Sequence, residues 1–193
     1  MDKLNQAIKF ATAAHAGQKR KLIDAPYILH PMEAAAIVSR LTCDEDVICA
    51  AILHDVVEDT GHSIDEIERL FGKRVAELVA AETEDKRTNL PPEATWQIRK
   101  EETLAHLRQT EDKAVKTLWL ADKLSNMRSL YNAYLRRGDD IWKEFHEKDK
   151  NKQKWYYESV ADALRNDFQN FAAFEEYEKI IELVFGKTDK REK

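Results

Sequence analysis

The segment from Asp44 to Val57 restricts the fold of this chain more than any other. Its middle, Val47-Ile48-Cys49-Ala50-Ala51-Ile52-Leu53, is apolar on nearly every side of a helix. Because a helix without a polar face has to be surrounded by protein, we predict a buried central helix over residues 45–57. Asp44 is suited to be its N-cap, since a carboxylate can accept hydrogen bonds from the first free backbone N–H groups. Other elements must therefore cover this helix on all sides.

The covering elements are predicted to be helices. The chain has 193 residues but only five Gly and four Pro, and an all-β fold would need many more turns. No segment shows the two-residue alternation of a half-buried strand. Apolar spacing, caps and breakers predict further helices at residues 2–16, 31–41, 63–70, 73–83, 94–109, 111–136, 140–148, 151–168 and 171–185. We predict an all-α fold in a single domain over residues 1–186, with a frayed tail at 187–193.

Composition and charge argue against several classes of function. The net charge of −5 disfavours non-specific binding of nucleic acid, although a basic patch or a metal could still bind a small polyanion. No apolar run approaches the ~20 residues of a membrane span, and the N-terminus does not have the layout of a signal peptide. Cys43 and Cys49 form no CxxC pair and suit a reducing compartment. We therefore expect a cytoplasmic protein with neither a membrane nor nucleic acid as partner.

The predicted central helix ends in one His and three carboxylates, in the run Leu53-His54-Asp55-Val56-Val57-Glu58-Asp59-Thr60. Glu58 lies one helical turn beyond His54, and Asp59 one turn beyond Asp55, so all four side chains can face one cleft. Buried carboxylates must pair, become neutral or bind a cation. By itself, the segment is equally consistent with a solvated helix end that carries a His cap.

Two distant segments add further ligand types. His30 stands in Tyr27-Ile28-Leu29-His30-Pro31, just before a predicted helix, where a structural His is the more common case. Asp122 and Asn126 lie one turn apart in Leu120-Ala121-Asp122-Lys123-Leu124-Ser125-Asn126, on a largely apolar helix. Asp122 needs a partner there, which could be an ion pair with Lys123 or Arg128 or a bound cation.

Taken together, two His and two Asp form a ligand set with two nitrogen and two oxygen donors. Such a set suits Mn²⁺, Fe²⁺ or Zn²⁺ better than Ca²⁺, which prefers oxygen ligands throughout. A divalent ion lowers the pKa of bound water and supplies hydroxide near neutral pH. Glu58 or Asp59 could then orient that water or accept its proton.

Basic residues are concentrated in the loops around these segments. They are Lys19, Arg20 and Lys21 before His30, Lys86 and Arg87 after residue 85, and Lys123 beside Asp122. If the loops meet over a metal ion, they form a phosphate clamp in which Arg can bind bidentately or stack on a base. Ordinary surface charge is the alternative for each of them.

In this order, the segments resemble the HD phosphohydrolase superfamily, and within it most closely the (p)ppGpp hydrolase domain of RelA/SpoT proteins and the stand-alone small alarmone hydrolases. The similarity covers about residues 7–130. The matching stretches are 15–21, 26–31, 50–60, 71–75, 83–86 and 120–126. A His-Asp pair alone is unspecific, but the HDxxED form between PYxxHP and LADKxxN is highly specific.

The resemblance implies a multi-helix HD-domain bundle with a metal site between its helices. It implies a Mn²⁺ ion, with Fe²⁺ or Zn²⁺ as alternatives, held by His30, His54, Asp55 and Asp122. It implies Glu58 and Asp59 as the catalytic pair that activates water. The implied substrate contacts are Arg20, Lys21, Lys86, Lys123 and Asn126. The implied reaction is hydrolysis of the 3′-pyrophosphate of (p)ppGpp, which gives GDP or GTP and pyrophosphate.

The chain also departs from the family pattern. Asp24-Ala25 stands where a Gly often precedes the Pro-Tyr pair, and Ala81-Glu82-Thr83 replaces a more apolar Val-Thr run. The match fades after Arg128, and we expect no synthetase domain. The aromatic and basic segment 142–157 could close over a ligand, but we favour a packing seam between helices.

Two other functions remain open from the sequence. One keeps the metal site but changes the substrate to another phosphorylated nucleotide, such as the 2′-phosphate of NADPH or an adenosine alarmone. The other is a nucleotide sensor without turnover, which the full set of motif carboxylates disfavours. The small nucleotide is the expected partner in each case, and the sequence is compatible with a homo-oligomer.

Overall fold

The structure is a computed structural model that describes residues 2–87 and 89–186. Those residues form helices and no strand, and an isolated bridge joins Lys19 to Pro26. The α-helices are α1 Asp2–Ala14, α2 Leu29–Val38, α3 Glu45–Leu53, α4 Val56–Asp59, α5 Ile64–Phe71, α6 Lys73–Glu82, α7 Pro92–Gln109, α8 Lys113–Arg137, α9 Lys150–Phe168 and α10 Ala172–Phe185; a 3₁₀ helix spans Gly138–Glu144. The prediction of an all-α fold is confirmed, and the predicted tail at 187–193 lies outside the described residues.

The predicted central helix is α3, which α1, α2, α6 and α8 surround. Its apolar residues from Ala50 to Leu53 are almost completely buried. Asp44 caps it as predicted, because its carboxylate accepts a hydrogen bond from the backbone N–H of Asp46. The nearly uniform apolar surface of this segment is thus explained by neighbours on all of its sides.

The central helix ends earlier than predicted. Instead of continuing to residue 57, α3 stops at Leu53, and the short helix α4 begins after a turn at His54 and Asp55. The carbonyl of Ala51, which a continuous helix would offer to the N–H of residue 55, accepts a hydrogen bond from the His54 ring at 2.8 Å. Because of this break, Glu58 and Asp59 lie on a separate short helix and not on a continuation of α3.

The long helix α8 forms the second axis of the molecule. It packs against α2, α3 and α6, which precede it in the chain, and against α9 and α10, which follow it. Buried apolar residues run from Ala7 in α1 to Val184 in α10 as one cluster. Residues on α8 can therefore reach both the central helix and the carboxy-terminal helices.

Several other boundaries differ from the prediction, and two of the differences have local reasons. Helix α2 begins at Leu29, two residues before its predicted start, so that Pro31 lies within the first turn, where its missing N–H costs nothing. The predicted α-helix at 140–148 is wrong, because a 3₁₀ helix lies at Gly138–Glu144. It begins at Gly138, whose φ of 54° marks the end of α8, and the Trp142 indole N–H donates to Asp139. None of the helices in the described part of the chain has the length and apolarity needed to span a membrane.

Candidate metal centre and active site

Three of the predicted metal ligands meet at one buried point. His30 comes from α2, His54 from the turn after α3, and Asp122 from the middle of α8. One ligand atom from each lies within 4.8 Å of the others. Asp55 borders the same point, with its Oδ2 atom 3.1 Å from His54 Nε2 and 3.5 Å from His30 Nε2. The structure thus brings together all four residues that the sequence indicated.

Hydrogen bonds fix which nitrogen of each ring faces this point. His54 Nδ1 lies 2.8 Å from the carbonyl of Ala51, which can only accept, so the proton is on Nδ1. His30 Nδ1 lies 2.8 Å from the hydroxyl of Ser125, and that hydroxyl donates to Glu33 at 2.7 Å. Ser125 therefore accepts from His30. Both Nε2 atoms are left to face the carboxylates, the arrangement typical of histidines that bind metals.

This arrangement requires a positive charge between the side chains. His30 Nε2 is 3.0 Å and His54 Nε2 is 3.6 Å from Oδ1 of Asp122, and lone pairs at such distances repel one another. His54 Nε2 is also buried and finds no hydrogen-bond partner among residues 2–87 and 89–186. A proton or a metal ion would satisfy these atoms, and two imidazoles with two carboxylates suit a divalent transition-metal ion.

The pKa values of the two histidines are consistent with this requirement. Burial lowers the pKa of His30, which favours the neutral ring that can bind a metal. Burial also opposes protonation of His54, but Asp55 and Asp122 outweigh it and raise the pKa of that ring well above its usual value. Burial alone would raise the pKa of Asp122, yet Lys123 and the histidines hold it well below the usual value. The carboxylates are thus ionised and attract a cation.

The carboxylates of Glu58 and Asp59 lie beside this centre on α4. Burial and the charge of Asp55 raise the pKa of Glu58. One oxygen of Glu58 accepts a hydrogen bond from the backbone N–H of Glu84 at 3.1 Å, and the other lies 3.5 Å from the ammonium of Lys86. Lys86 also pairs closely with Oδ1 of Asp59. The two carboxylates therefore have different environments, and the raised pKa of Glu58 suits a proton acceptor.

Tyr27 joins the metal centre to this pair and was not among the predicted site residues. Its hydroxyl lies 2.7 Å from Oδ2 of Asp55 and 2.8 Å from Oδ2 of Asp59, so one proton serves two carboxylates. The guanidinium of Arg20 lies over the Tyr27 ring, 5.6 Å from its centroid. Tyr27 belongs to the same PYxxHP segment as His30, and that segment is the sequence signal for it.

A cavity of about 830 Å³ opens beside Glu58 and Asp59. Six cationic side chains line it, against three carboxylates, although the chain as a whole carries a charge of −5. The cations are Lys19, Arg20, Lys21, Lys86, Arg99 and Lys100; aromatic rings come from Tyr27, Trp96, Phe145 and Tyr157. Both the size and the positive wall suit an organic polyanion with a flat ring, such as a nucleotide.

The predicted substrate residues divide into two sets. Arg20, Lys21, Lys86 and Asn126 line the cavity. Asn126 also connects two parts of the site, because its Nδ2 donates to Asp122 at 2.6 Å and its Oδ1 accepts from Arg20 at 2.9 Å. Lys123 is not among the lining residues of the cavity. Its ammonium pairs with Oδ2 of Asp122 and lies over the Trp119 ring, 4.3 Å from its centroid.

The remaining charged residues of the predicted segments have structural partners. Arg87 donates to Glu102 at 2.6 Å, outside the cavity lining. Lys19 pairs with Asp24 at 2.5 Å, and both side chains are exposed. Asp24, the acidic departure near the basic loop, is therefore paired within that loop.

Arg128, considered above as a partner of Asp122, has other partners. It binds Glu33 at 3.0 Å and Glu176 at 2.7 Å instead. Because Glu33 also accepts a hydrogen bond from Ser125, a line of polar contacts leads from His30 to α10.

The aromatic segment 142–157 contributes to both the packing and the cavity wall. Trp142 and Tyr156 are buried in the packing between helices, as the favoured interpretation predicted. Phe145, His146 and Tyr157 line the cavity, so closure of this segment over a ligand stays a prediction.

Glu82 is a buried acid, and in the sequence it stood out only as a departure from the family pattern. Neither of its carboxylate oxygens has a hydrogen-bond partner in the part of the chain that the structure describes. The nearest cation is the ammonium of Lys123, 4.0 Å from Oε1. Burial, followed by the charge of Asp122, raises the pKa of Glu82 to about 8. At neutral pH the group is therefore largely protonated.

Comparisons with known proteins point to one family. A family model described as "HD domain" matches residues 7–149. The chain is 40% identical over 127 residues to a GTP pyrophosphokinase rsh of Brucella abortus, covering 66% of the chain and 17% of that protein. It is 37% identical over 130 residues to a guanosine-3′,5′-bis(diphosphate) 3′-pyrophosphohydrolase of Aquifex aeolicus, covering 67% and 18%. The chain thus spans less than a fifth of the length of these curated relatives.

Solved structures extend the similarity over most of the chain. A metazoan ortholog of SpoT, described as hydrolysing ppGpp, superposes with a TM-score of 0.74 at 29% identity, over 93% of this chain and 94% of that one. The protein lmo0812 from Listeria monocytogenes EGD-e superposes with a TM-score of 0.70 at 34% identity, over 84% and 97%. Since the first of these superpositions covers 93% of this chain, the shared fold extends beyond the HD-domain match at residues 7–149.

Proposed function

Because the chain belongs to the HD domain family, we propose that it is a metal-dependent hydrolase that removes the 3′-pyrophosphate of (p)ppGpp. One observation carries the proposal: a buried ligand set, a carboxylate pair and a cationic cavity of nucleotide size adjoin one another. The names of the Aquifex relative and of the metazoan structural neighbour support ppGpp as the substrate. The products would be GDP or GTP and pyrophosphate, and the catalytic unit would be the predicted domain 1–186.

The proposed metal is Mn²⁺, held by His30, His54, Asp55 and Asp122. When bound, such an ion lowers the pKa of water and polarises a phosphoryl oxygen. Asn126 and Lys123 act through Asp122, since each donates to a carboxylate oxygen of that ligand. We therefore assign Lys123 to positioning Asp122 rather than to direct contact with the substrate.

Glu58 is the proposed proton acceptor of the reaction. Its raised pKa makes it a stronger base towards the proton of the attacking water, and the N–H of Glu84 holds its carboxylate in one orientation. Asp59 is held from two sides, by Tyr27 at Oδ2 and by Lys86 at Oδ1, which suits a group that orients water.

The nucleotide is proposed to occupy the side of the cavity formed by the loop after α1. Arg20 can bind a phosphate bidentately or stack on the base, and Asn126 and Ser129 already orient its guanidinium through hydrogen bonds of 2.9 and 3.3 Å. Lys21 is exposed at the same wall. Both cysteines are free thiols, which supports a reducing, cytoplasmic setting for this reaction.

A substrate panel tests the proposal. The purified chain, with its metal content measured, is incubated with ppGpp, pppGpp, NADPH and an adenosine alarmone. We expect Mn²⁺-dependent release of pyrophosphate from the two guanosine substrates. Intact ppGpp alongside cleavage of another nucleotide would assign the site to that substrate. Binding of ppGpp without cleavage of any compound would identify a nucleotide sensor.

A further inference from the structure

Three cations form a second positive group in the cavity, separate from the basic loop after α1. Lys86 precedes α7, and Arg99 and Lys100 lie on it; we refer to these three as the α7 cations. Arg99 and Lys100 lie in the 18-residue helix that begins at Pro92, and their side chains are 12% and 17% exposed. Placing two cationic groups at so little exposure is costly unless anions compensate them.

Among the described residues, the negative charge paired with Arg99 and Lys100 is that of a single carboxylate. Glu84 supplies one carboxylate to two cations, since Oε2 accepts from Arg99 at 2.8 Å and Oε1 from Lys100 at 2.5 Å. The hydroxyl of Thr103 donates to the same carboxylate at 3.2 Å. Burial lowers the pKa of Lys100 despite this partner. An additional anion in the cavity would therefore be stabilised at this position.

Glu84 also places the α7 cations next to the catalytic carboxylates. The backbone N–H of Glu84 binds Glu58, so the residue that holds Arg99 and Lys100 also holds the proposed proton acceptor. Lys86 contacts Glu58 at 3.5 Å and pairs with Asp59. An anion bound by these cations would consequently lie close to the carboxylate pair.

Asp59 separates the two cationic groups. Its Oδ1 atom faces Lys86, whereas its Oδ2 atom faces Tyr27, over whose ring Arg20 lies. The basic loop and the α7 cations thus approach the carboxylate pair from different sides. A substrate with phosphates at two positions would span this arrangement.

We infer that the α7 cations bind the terminal phosphate of the 3′-pyrophosphoryl group and then the pyrophosphate product. The inference rests on the proposed function and deepens it. In the reaction, the water oxygen bonds to the phosphorus attached to O3′, and the P–O3′ bond breaks. Its electron pair remains on O3′, which takes up a proton, while Glu58 accepts the proton of the water. The terminal phosphate forms and breaks no bond, so its charge requires a binding site of its own.

Product inhibition tests this assignment. Hydrolysis of ppGpp by the full, Mn²⁺-loaded chain is measured with added pyrophosphate or added GDP at constant free Mn²⁺. For Arg99→Gln and Lys100→Met we expect the inhibition constant for pyrophosphate to rise at least about tenfold, because a charge-assisted contact is lost. The constant for GDP should stay unchanged. For Arg20→Gln we expect the inhibition constant for GDP to rise and the constant for pyrophosphate to stay unchanged.

Lys116→Met is the matched control for Lys100→Met. The Lys116 side chain is 15% exposed and pairs with Asp167 at 2.7 Å, but it does not line the cavity. We expect wild-type inhibition by both products. If Lys100→Met does not fold, Lys86→Met makes the same test, since the Lys86 side chain is 37% exposed and less involved in packing.

A truncated substrate gives a second readout. A guanosine nucleotide with a single 3′-phosphate lacks the group that the α7 cations would hold. The wild type should prefer the 3′-pyrophosphate, and Arg99→Gln should lose most of that preference through KM. An equal loss for both substrates, or equal weakening of pyrophosphate and GDP inhibition, would show that α7 only supports the fold.

Direct calorimetry separates this inference from the proposed function. Pyrophosphate is titrated into the same Mn²⁺-loaded proteins, which requires no turnover. If the wild type binds pyrophosphate and Lys100→Met binds it at least about tenfold more weakly, the subsite stands even where ppGpp is not cleaved. If ppGpp is cleaved but the variants bind pyrophosphate like the wild type, the inference fails and the proposed function stands.

Discussion

The metal centre and the cavity wall are adjoining regions built in different ways. The metal centre uses residues held on or between packed helices, and each His ring is oriented by a partner of its own. The cavity wall takes its residues from many elements: the loop after α1, α4, the segment before α7, α7, α8, the loop after the 3₁₀ helix and α9. Its charged groups partly compensate one another, as Arg99 and Lys100 do around Glu84. The first region should therefore decide whether chemistry occurs, and the second which molecule undergoes it.

The largest effect is expected for Asp122→Asn. Asp122 approaches both His Nε2 atoms, and an amide cannot supply its negative charge to a divalent ion. We expect loss of metal binding by elemental analysis and loss of turnover to background. A variant that retains both metal and activity would place the metal elsewhere.

A smaller loss is expected for Ser125→Ala, which leaves every predicted ligand in place. His30 Nδ1 would lose its acceptor, so the ring would no longer be held in one orientation. Such supporting contacts typically contribute about 10–100-fold to metal affinity. Mn²⁺ titration by calorimetry measures the change. Ser39→Ala is the control, since the Ser39 hydroxyl binds only the local carbonyl of Ala36 on the exposed end of α2.

Arg20→Gln should separate the two regions. It removes a cation of the cavity wall and leaves the four predicted ligands unchanged. We expect KM for ppGpp to rise about tenfold, the value of one charge-assisted contact, with little change in Mn²⁺ affinity. A comparable fall in metal affinity would mean that the Arg20–Asn126–Asp122 contacts unite the two regions.

The smallest effect on catalysis, and a measurable one on stability, is expected for Glu82→Gln. The folded protein holds a proton on Glu82 up to a pKa of about 8, whereas the unfolded chain releases it near 4.5. Between these values the folded state binds more protons, so wild-type stability falls as pH rises. The neutral amide avoids this loss. Urea unfolding of the metal-free protein should show the variant gaining about 3–4 kcal/mol on the wild type between pH 5 and pH 8.

An equal difference between the two proteins at both pH values would contradict the assigned ionisation of Glu82. It would mean that the carboxyl has the same protonation state in the folded and unfolded chains across this range.

Local sequence patterns were enough to predict the helical fold. The predicted helix boundaries were wrong where side-chain contacts determine them. The apolar run before His54 was enough to place α3 at the centre. Its end at Leu53 depended on the His54 ring reaching the Ala51 carbonyl, which helical spacing does not encode. The 3₁₀ helix at Gly138–Glu144 likewise depended on local contacts.

The metal centre was easier to predict than the cavity. Its ligands lie in recognisable segments, and His and Asp have few common roles in an apolar setting. Arg99, Lys100 and Glu84 meet only through the packing of α7 against the preceding loop, so neighbouring residues in the sequence give no sign of it. Lys123 is the opposite case. It belongs to a recognisable motif and was predicted to contact the substrate, but its side chain pairs with Asp122 and does not line the cavity.

The most direct test of the account is a comparison of Glu58→Gln with the wild type, in which Mn²⁺ content, ppGpp binding and pyrophosphate release are measured on the same samples. The variant should bind the metal and ppGpp like the wild type, because Glu58 is not a predicted ligand and the amide has the same shape. Its rate of pyrophosphate release should fall by about 10²–10⁴-fold, the usual contribution of a general base. Pyrophosphate release at the wild-type rate would contradict the claim that these adjoining regions form one active site with Glu58 as its base.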